Sequence, residues 1–225
     1  MQRPSRAFSE DDRQAITAAV AEAESKTSAE IVPVAAAASG RYDRAEDIAG
    51  LVLGLVAMSL VWAAFQGFDE PPDWGFAWTS FELPAMILAA VLGFIAGTVA
   101  TASCGPLRRL FVSRQEMEDE VEARARALFY DERIHHTAGR TGVLIYISLF
   151  ERMATIVADD AVMKAIGKDA VDEMCAALTG NLRIDIGLAQ AMCDAIKDAG
   201  YRLEPALPRA QDDVNELEDA LVIIE

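Results

Sequence analysis

What the 225-residue chain lacks narrows its function first. Basic charge is scarce: 20 Lys and Arg stand against 36 Asp and Glu, for a formal net charge of −16. That balance argues against a nucleic-acid partner, because phosphate recognition needs a basic surface. It fits solubility, cation binding or docking to basic surfaces. Cysteine is nearly missing. Cys104, Cys175 and Cys193 are odd in number and show no CxxC or Cys/His ligand spacing, so they read as buried, reduced thiols suited to a reducing compartment. No GxSxG, Walker loop, HExxH or CxxxxxR signature occurs, which weakens every enzyme reading. The opening "MQRPSRAFSEDDRQ" has no apolar run close behind it, so a signal peptide is not expected.

Charge is also missing from two long runs. "IAGLVLGLVAMSLVWAAFQGF" lies between Asp47 and Asp69, and "LPAMILAAVLGFIAGTVATASCGPL" between Glu82 and Arg108. A helix needs roughly 20 apolar residues to cross the hydrocarbon core. Two membrane spans are expected, about 48–68 and 83–105. The chain then divides into 1–46, a transmembrane helical hairpin over 47–107, and 108–225. Arg3, Arg6, Arg13, Lys26, Arg41 and Arg44 precede the first span, and Arg108, Arg109 and Arg114 follow the second; the connecting "DEPPDWGFAWTSFE" has no basic residue. The positive-inside rule then places both termini in the cytoplasm of a multi-pass inner-membrane protein, with the loop outside. Trp62, Trp74 and Trp78 fall near that outer edge, as an interfacial belt would.

Each span carries a GxxxG, Gly50/Gly54 and Gly93/Gly97, with Gly54 and Gly97 expected at similar depth. Packing within the hairpin and packing against another subunit both explain such glycines. No charged side chain lies inside either span, which argues against a channel or transporter. The hairpin reads as an anchor in the lipid bilayer, or as a docking surface for a membrane protein or a second copy.

The remainder forms one domain cut open. Ser9 followed by acidic residues, then Ile16, Ala19, Val20 and Ala23, predicts a helix over 9–25. "AEIVPVAAAA" predicts a short strand, in which Pro33 points to an edge position or a bulge. Met117, Val121, Ala125 and Leu128 share one face of a later helix, where Glu122 and Arg126 pair at i, i+4. "GVLIYISL", a turn "FER" and "MATIVAD" predict a strand hairpin whose first strand is apolar on both faces: Val143, Ile145 and Ile147 against Leu144 and Tyr146. Such a strand needs helices on both sides. Two are expected, over 169–178 and 183–199, the second with Ile186, Ala189, Met192, Cys193 and Ile196 inward. The expected fold is α/β, a three-layer α/β/α sandwich interrupted by the hairpin. An even number of spans returns the chain to the side it left, so the insertion costs little in closure entropy.

"KTSAEIVPV", "RARALFYDERIHHTAGRTGVLIYISLFERMATIVADDAV" and "DDVNELEDALVIIE" resemble the TPM domain family, whose relatives often show a "T.aEi.v" strand and a "gVLiyis..er...iva D" hairpin. The resemblance covers nearly the whole cytoplasmic part. It departs at Thr141, where many relatives have Asn, and in the position of the spans, which here interrupt the domain. It implies an α/β/α fold, a membrane tether and a role in maintaining or modulating membrane complexes. Some relatives are phosphatases and some bind calcium.

The candidate site is Asp159 and Asp160. They follow a strand directly, share an edge with the start of "GVLIYISL" near Arg140 and Thr141, and match the Asp that ends the hairpin in the family pattern. Glu30 opens the first strand; Glu151 and Arg152 lie at the opposite end. Two adjacent carboxylates suit a hard cation, Mg²⁺ or Ca²⁺. The plainer alternative is that Asp160 caps the helix beginning at Ala161. His135 and His136 read as exposed loop residues. Leu221, Ile223 and Ile224 read as a strap on the domain, with a docking peptide as the alternative. The expected function is a non-enzymatic, membrane-anchored accessory protein that binds or stabilises a membrane complex; the alternative is a divalent-metal-dependent phosphatase or other hydrolase built on Asp159 and Asp160. No other cofactor is expected.

Overall fold

A computed structural model describes residues 3–66, 81–184, 186–210 and 215–225. Most of the proposed loop, residues 69–80 with Trp74 and Trp78, and the last two residues of the first span lie outside the described residues. In chain order the elements are α1 (Pro4–Ala7), α2 (Glu10–Glu24), β1 (Glu30–Ala36), α3 (Asp43–Gln66), α4 (Glu82–Ser103), α5 (Gly105–Leu110), α6 (Arg114–Asp131), a 3-10 turn (Ile134–His136), β2 (Gly142–Ser148), β3 (Met153–Ala158), α7 (Asp160–Arg183), α8 (Leu188–Leu203) and β4 (Val222–Ile224). The chain divides into two compact units. One is Arg41–Arg114; the other joins Gln2–Gly40 to Gln115–Glu225.

In the larger unit, β1 and β2 pair side by side and parallel, Ile31 opposite Val143 and Val34 opposite Tyr146. β3 runs antiparallel on the far edge of β2, and β4 runs parallel on the far edge of β1, giving the order β3-β2-β1-β4. Alternation along the strands divides the core in two. Ile31, Ala35, Val143, Ile145 and Ile147 face a layer built from α2, α7 and α8. Val32, Val34, Ala36, Leu144 and Tyr146 face α6, through Val121, Ala125, Leu128 and Phe129. These are the three layers expected from the sequence. Each Ile taken wholly out of water contributes about 1.5–3 kcal/mol before ordering entropy is charged against it.

Local signals explain most boundaries. Ser9 caps α2: its Oγ accepts the Asp12 N–H at 3.1 Å, and the Asp12 carboxylate accepts the Ser9 N–H at 2.9 Å. α7 bends at Gly167, whose φ of 81° is open to glycine at little cost. Gly142 starts β2 where the 3-10 turn crosses it; a Cβ there would stand 2.3 Å from the Ile134 carbonyl oxygen.

Several expectations are corrected. β1 is a central strand, not an edge or a bulge. Pro33 is tolerated because Glu30 donates toward β2 and Ala37 toward β4, so odd-numbered N–H groups point to the β4 side, and β4 begins its pairing only at Val34. Arg183 ends α7 instead of starting α8. Ile186 precedes α8 and stays exposed, whereas Met192, Cys193 and Ile196 are buried. Cys104 is exposed and Cys175 half-buried; only Cys193 matches the expected burial. The C-terminal strap is a strand: Val222–Ile224 joins the sheet.

In the smaller unit α3 and α4 pack along a seam of small residues. A Cβ on Gly93 would stand 2.9 Å from the Gly54 Cα, and one on Gly97 2.9 Å from the Gly50 Cα. The register therefore sets Gly54 against Gly93 and Gly50 against Gly97, one turn away from the Gly54/Gly97 level expected. Such close approach is open only to small residues. Hydroxyls on these helices bond back into their own turn: Thr98 to the Phe94 carbonyl at 3.0 Å, Ser103 to the Val99 carbonyl at 2.7 Å. Arg108 is held between Glu46 and Asp43. Both helices are long and apolar enough to cross a membrane.

Candidate functional site

Asp159 and Asp160 lie where expected, beside the start of β2. The Asp159 N–H donates to the Gly142 carbonyl at 3.0 Å, and the Ala161 N–H to the Arg140 carbonyl at 3.2 Å. Because β3 is antiparallel, its end falls at the amino ends of β1 and β2. The helix cap is Asp159, one residue earlier than expected: α7 begins at Asp160, and Asp159 Oδ1 accepts the Asp160 N–H at 2.7 Å. Asp159 Oδ2 is buried without a hydrogen-bond partner. Asp160 points outward and pairs with Arg140 at 3.3 Å. Two carboxylates with a guanidinium on one of them make a lean set for a hard cation, which takes six or more oxygens. Among the described residues no three His, Cys, Asp or Glu side chains gather as a metal site.

At the carboxyl ends of β1 and β2 a different group forms. The Glu151 carboxylate is fully buried; it accepts the Ser39 N–H at 2.8 Å and the Ser148 hydroxyl. Ser39 Oγ and Tyr146 Oη share a hydrogen bond of 2.9 Å. Burial pushes the Tyr146 phenol above its ordinary range, against the pull of the Ser39 bond. This network fixes the chain where it leaves β1.

A third cluster was not singled out from the sequence. Glu24, Thr27, Glu30, Arg209, Asn215 and Asp219 line a cavity of about 150 Å³. Glu24 and Glu30 are both buried. Glu24 Oε1 accepts the Ile31 N–H at 2.8 Å, and the Glu30 carboxylate accepts the N–H groups of Glu216 and Leu217, each at 3.3 Å. Burial pushes the Glu24 carboxyl up to about 8; the Ile31 bond opposes this, and the charges of Glu30 and Asp219 add to it. The sequence signal was present in "AESKTSAE", where a glutamate ends the helix and another opens an otherwise apolar strand, but Asp219 comes from the far end of the chain.

His135 and His136 occupy the 3-10 turn. His136 is exposed as expected, while the His135 ring is half-buried against Tyr130, 4.9 Å between centroids, with its Nδ1 buried and unpartnered.

The class of protein these features define is a layered α/β domain interrupted by a pair of membrane-length helices. Comparison with family models finds no match, and comparison with curated proteins finds none either. Among solved structures, the NMR structure of the BA42 protein from the psychrophilic bacterium Bizionia argentinensis is similar over 96% of this chain and 94% of that one, with a TM-score of 0.55 and 17% sequence identity. At that identity the likeness concerns the fold alone, and it is compatible with a TPM-like domain.

Proposed function

We propose that the chain is a TPM family member acting as a non-enzymatic accessory protein of the bacterial inner membrane, which binds, stabilises or modulates a membrane protein complex. The observation that carries this reading is the outward face of α3 and α4. Leu51, Leu60, Leu83, Leu88 and Val99 are each at least half exposed. Core helices of a water-soluble domain would be covered. In this reading the spans lie in the bilayer, and both termini and the layered domain are cytoplasmic. The glycines Gly50, Gly54, Gly93 and Gly97 are engaged with one another, so a partner or a second copy meets branched aliphatic side chains beside that seam. Affinity purification in mild detergent should recover a defined membrane partner or a homo-oligomer. A monodisperse monomer without partners would sink the proposal. Labelling of cysteines placed at the two ends should find both on the cytoplasmic face.

A second reading keeps Asp159 and Asp160 as a Mg²⁺ or Ca²⁺ site of a phosphatase or other hydrolase, water completing the coordination. The buried, unpartnered Asp159 Oδ2 favours it. The cation would supply Lewis-acid polarisation of a phosphoester; Arg140 would steady its anionic oxygens. Wild-type protein inert toward a broad phosphoester panel with either cation removes this reading.

A further inference from the structure

Where the helical pair begins and ends, the chain builds a polar rim. α4 stops at Ser103, Cys104 turns with φ −121° and ψ 97°, and α5 restarts with Pro106 in its first turn. The turn returns Arg108 to the start of α3, where it pairs with Glu46 and lies 3.9 Å from Asp43. Arg108 and Glu46 are both largely buried, so α5 is fixed at the level of Glu46. Ile48, the first exposed large apolar residue of α3, stands two residues further on, roughly 3 Å along the helix axis. α5 therefore borders the apolar face directly.

The rim presents two kinds of side chain outward. Leu110 is 79% exposed, and Arg109 beside it has no hydrogen-bond or ion-pair partner among the described residues. Arg44, exposed in the first turn of α3, has none either. A cation there adds to the positive end of the helix dipole, so the turn favours an approaching anion. Arg41 is engaged with Asp43 at 3.6 Å and Arg108 with Glu46, while Asp47 stays exposed. Residues 41–47 and 104–114 hold five arginines against three acids, in a chain whose net charge is −16. We propose that this rim is a binding surface for anionic phospholipid, with Arg44 and Arg109 receiving headgroup phosphates and Leu110 entering the acyl region. The proposal rests on the reading that α3 and α4 lie in the bilayer. A guanidinium offers its fork of N–H donors to phosphate oxygens, and its aliphatic stem can lie along apolar surface. A lipid fits the rim better than a free anion because the apolar face starts within one helical turn of these arginines. The buried Arg108–Glu46 pair holds the surface in place without competing for the lipid.

Native mass spectrometry of the full chain, released from a neutral detergent, reads the dissociation constants of phosphatidylglycerol and phosphatidylcholine of equal chain length. Wild type should prefer phosphatidylglycerol about 25-fold, two arginines at about fivefold each. Arg44→Gln and Arg109→Gln should each cut that ratio about fivefold, and the double variant should bind the two lipids alike. Arg126→Gln, from the exposed pair with Glu122 on α6, should leave the ratio unchanged. Leu110→Asn should weaken both lipids together. Glycerol 3-phosphate, which has the phosphate without acyl chains, should not displace phosphatidylglycerol. Equal binding of the two lipids by wild type, a ratio retained in the double variant, or displacement by glycerol 3-phosphate overturns the proposal and leaves the membrane reading standing. Binding of neither lipid, by a chain that stays monodisperse without detergent, overturns both.

Discussion

The Ser39 N–H donates to Glu151 across 2.8 Å, joining residues from opposite sides of the inserted helical pair and tying the exit of β1 to the β2–β3 turn. Glu151 is fully buried and also takes the Ser148 hydroxyl. Replacing it with Ala strands the buried Ser148 hydroxyl and the half-buried Ser39 N–H. Glu151→Ala is therefore expected to lower unfolding free energy by about 2–3 kcal/mol, read as a fall in denaturation midpoint, with Glu151→Gln recovering part of the loss.

Gly54 and Gly93 are in backbone contact. Gly93→Leu should force α3 and α4 apart at a cost of about 1–3 kcal/mol. Leu88→Ala, on the outward face, should leave the pair intact. Disulfide trapping between cysteines placed across the seam measures the separation: cross-linking should drop in Gly93→Leu and persist in Leu88→Ala.

Glu24 gives stability a pH dependence of definite sign. Its folded-state value is raised by burial to about 8, against an ordinary 4.5. The folded state then binds more protons than the unfolded one between those values. The contribution is full below about 4.5 and is lost as pH rises through about 8. Denaturant unfolding of the full chain in detergent should show stability falling over that window. Glu24→Gln should flatten this part of the profile.

Asp159→Ala removes the α7 cap and should cost about 1 kcal/mol. Asp160→Ala breaks only an exposed pair with Arg140 and should cost at most about 0.5 kcal/mol. The same variants separate capping from cation binding. A thermal shift produced by Mg²⁺ or Ca²⁺ in wild type and lost in both variants supports the cation site. No shift in wild type removes it.

The layers were legible because the apolar periods were clear. Val143 to Ile147 announce a strand covered on both faces, and Met117, Val121, Ala125 and Leu128 announce the helix that covers one of them. Errors arose where one residue type answers to two constraints. Pro33 forbids a donor, which usually signals an edge; here the missing donor falls where β4 does not reach. Asp159 and Asp160 are chemically equal in sequence, and only the turn geometry selects the first as the cap. Gly54 lies one turn from its expected partner because helix register depends on the whole seam. The Glu24, Glu30 and Asp219 cluster was the least visible. Its members are brought together by β4 lying down on β1, and no local pattern in residues 215–225 points to residue 24.

Since Ile31 pairs with Val143, a ribosome making this protein finishes the first strand long before its neighbour exists. All of α3 and α4 must be synthesised in between. During that interval Ile31, Val32 and Val34 have no sheet to join, and a product arrested inside the helical pair never acquires one. Concealment of the first strand therefore depends on synthesis continuing past the helical pair to Gly142–Ser148, which gives Ile31, Val32 and Val34 their neighbour.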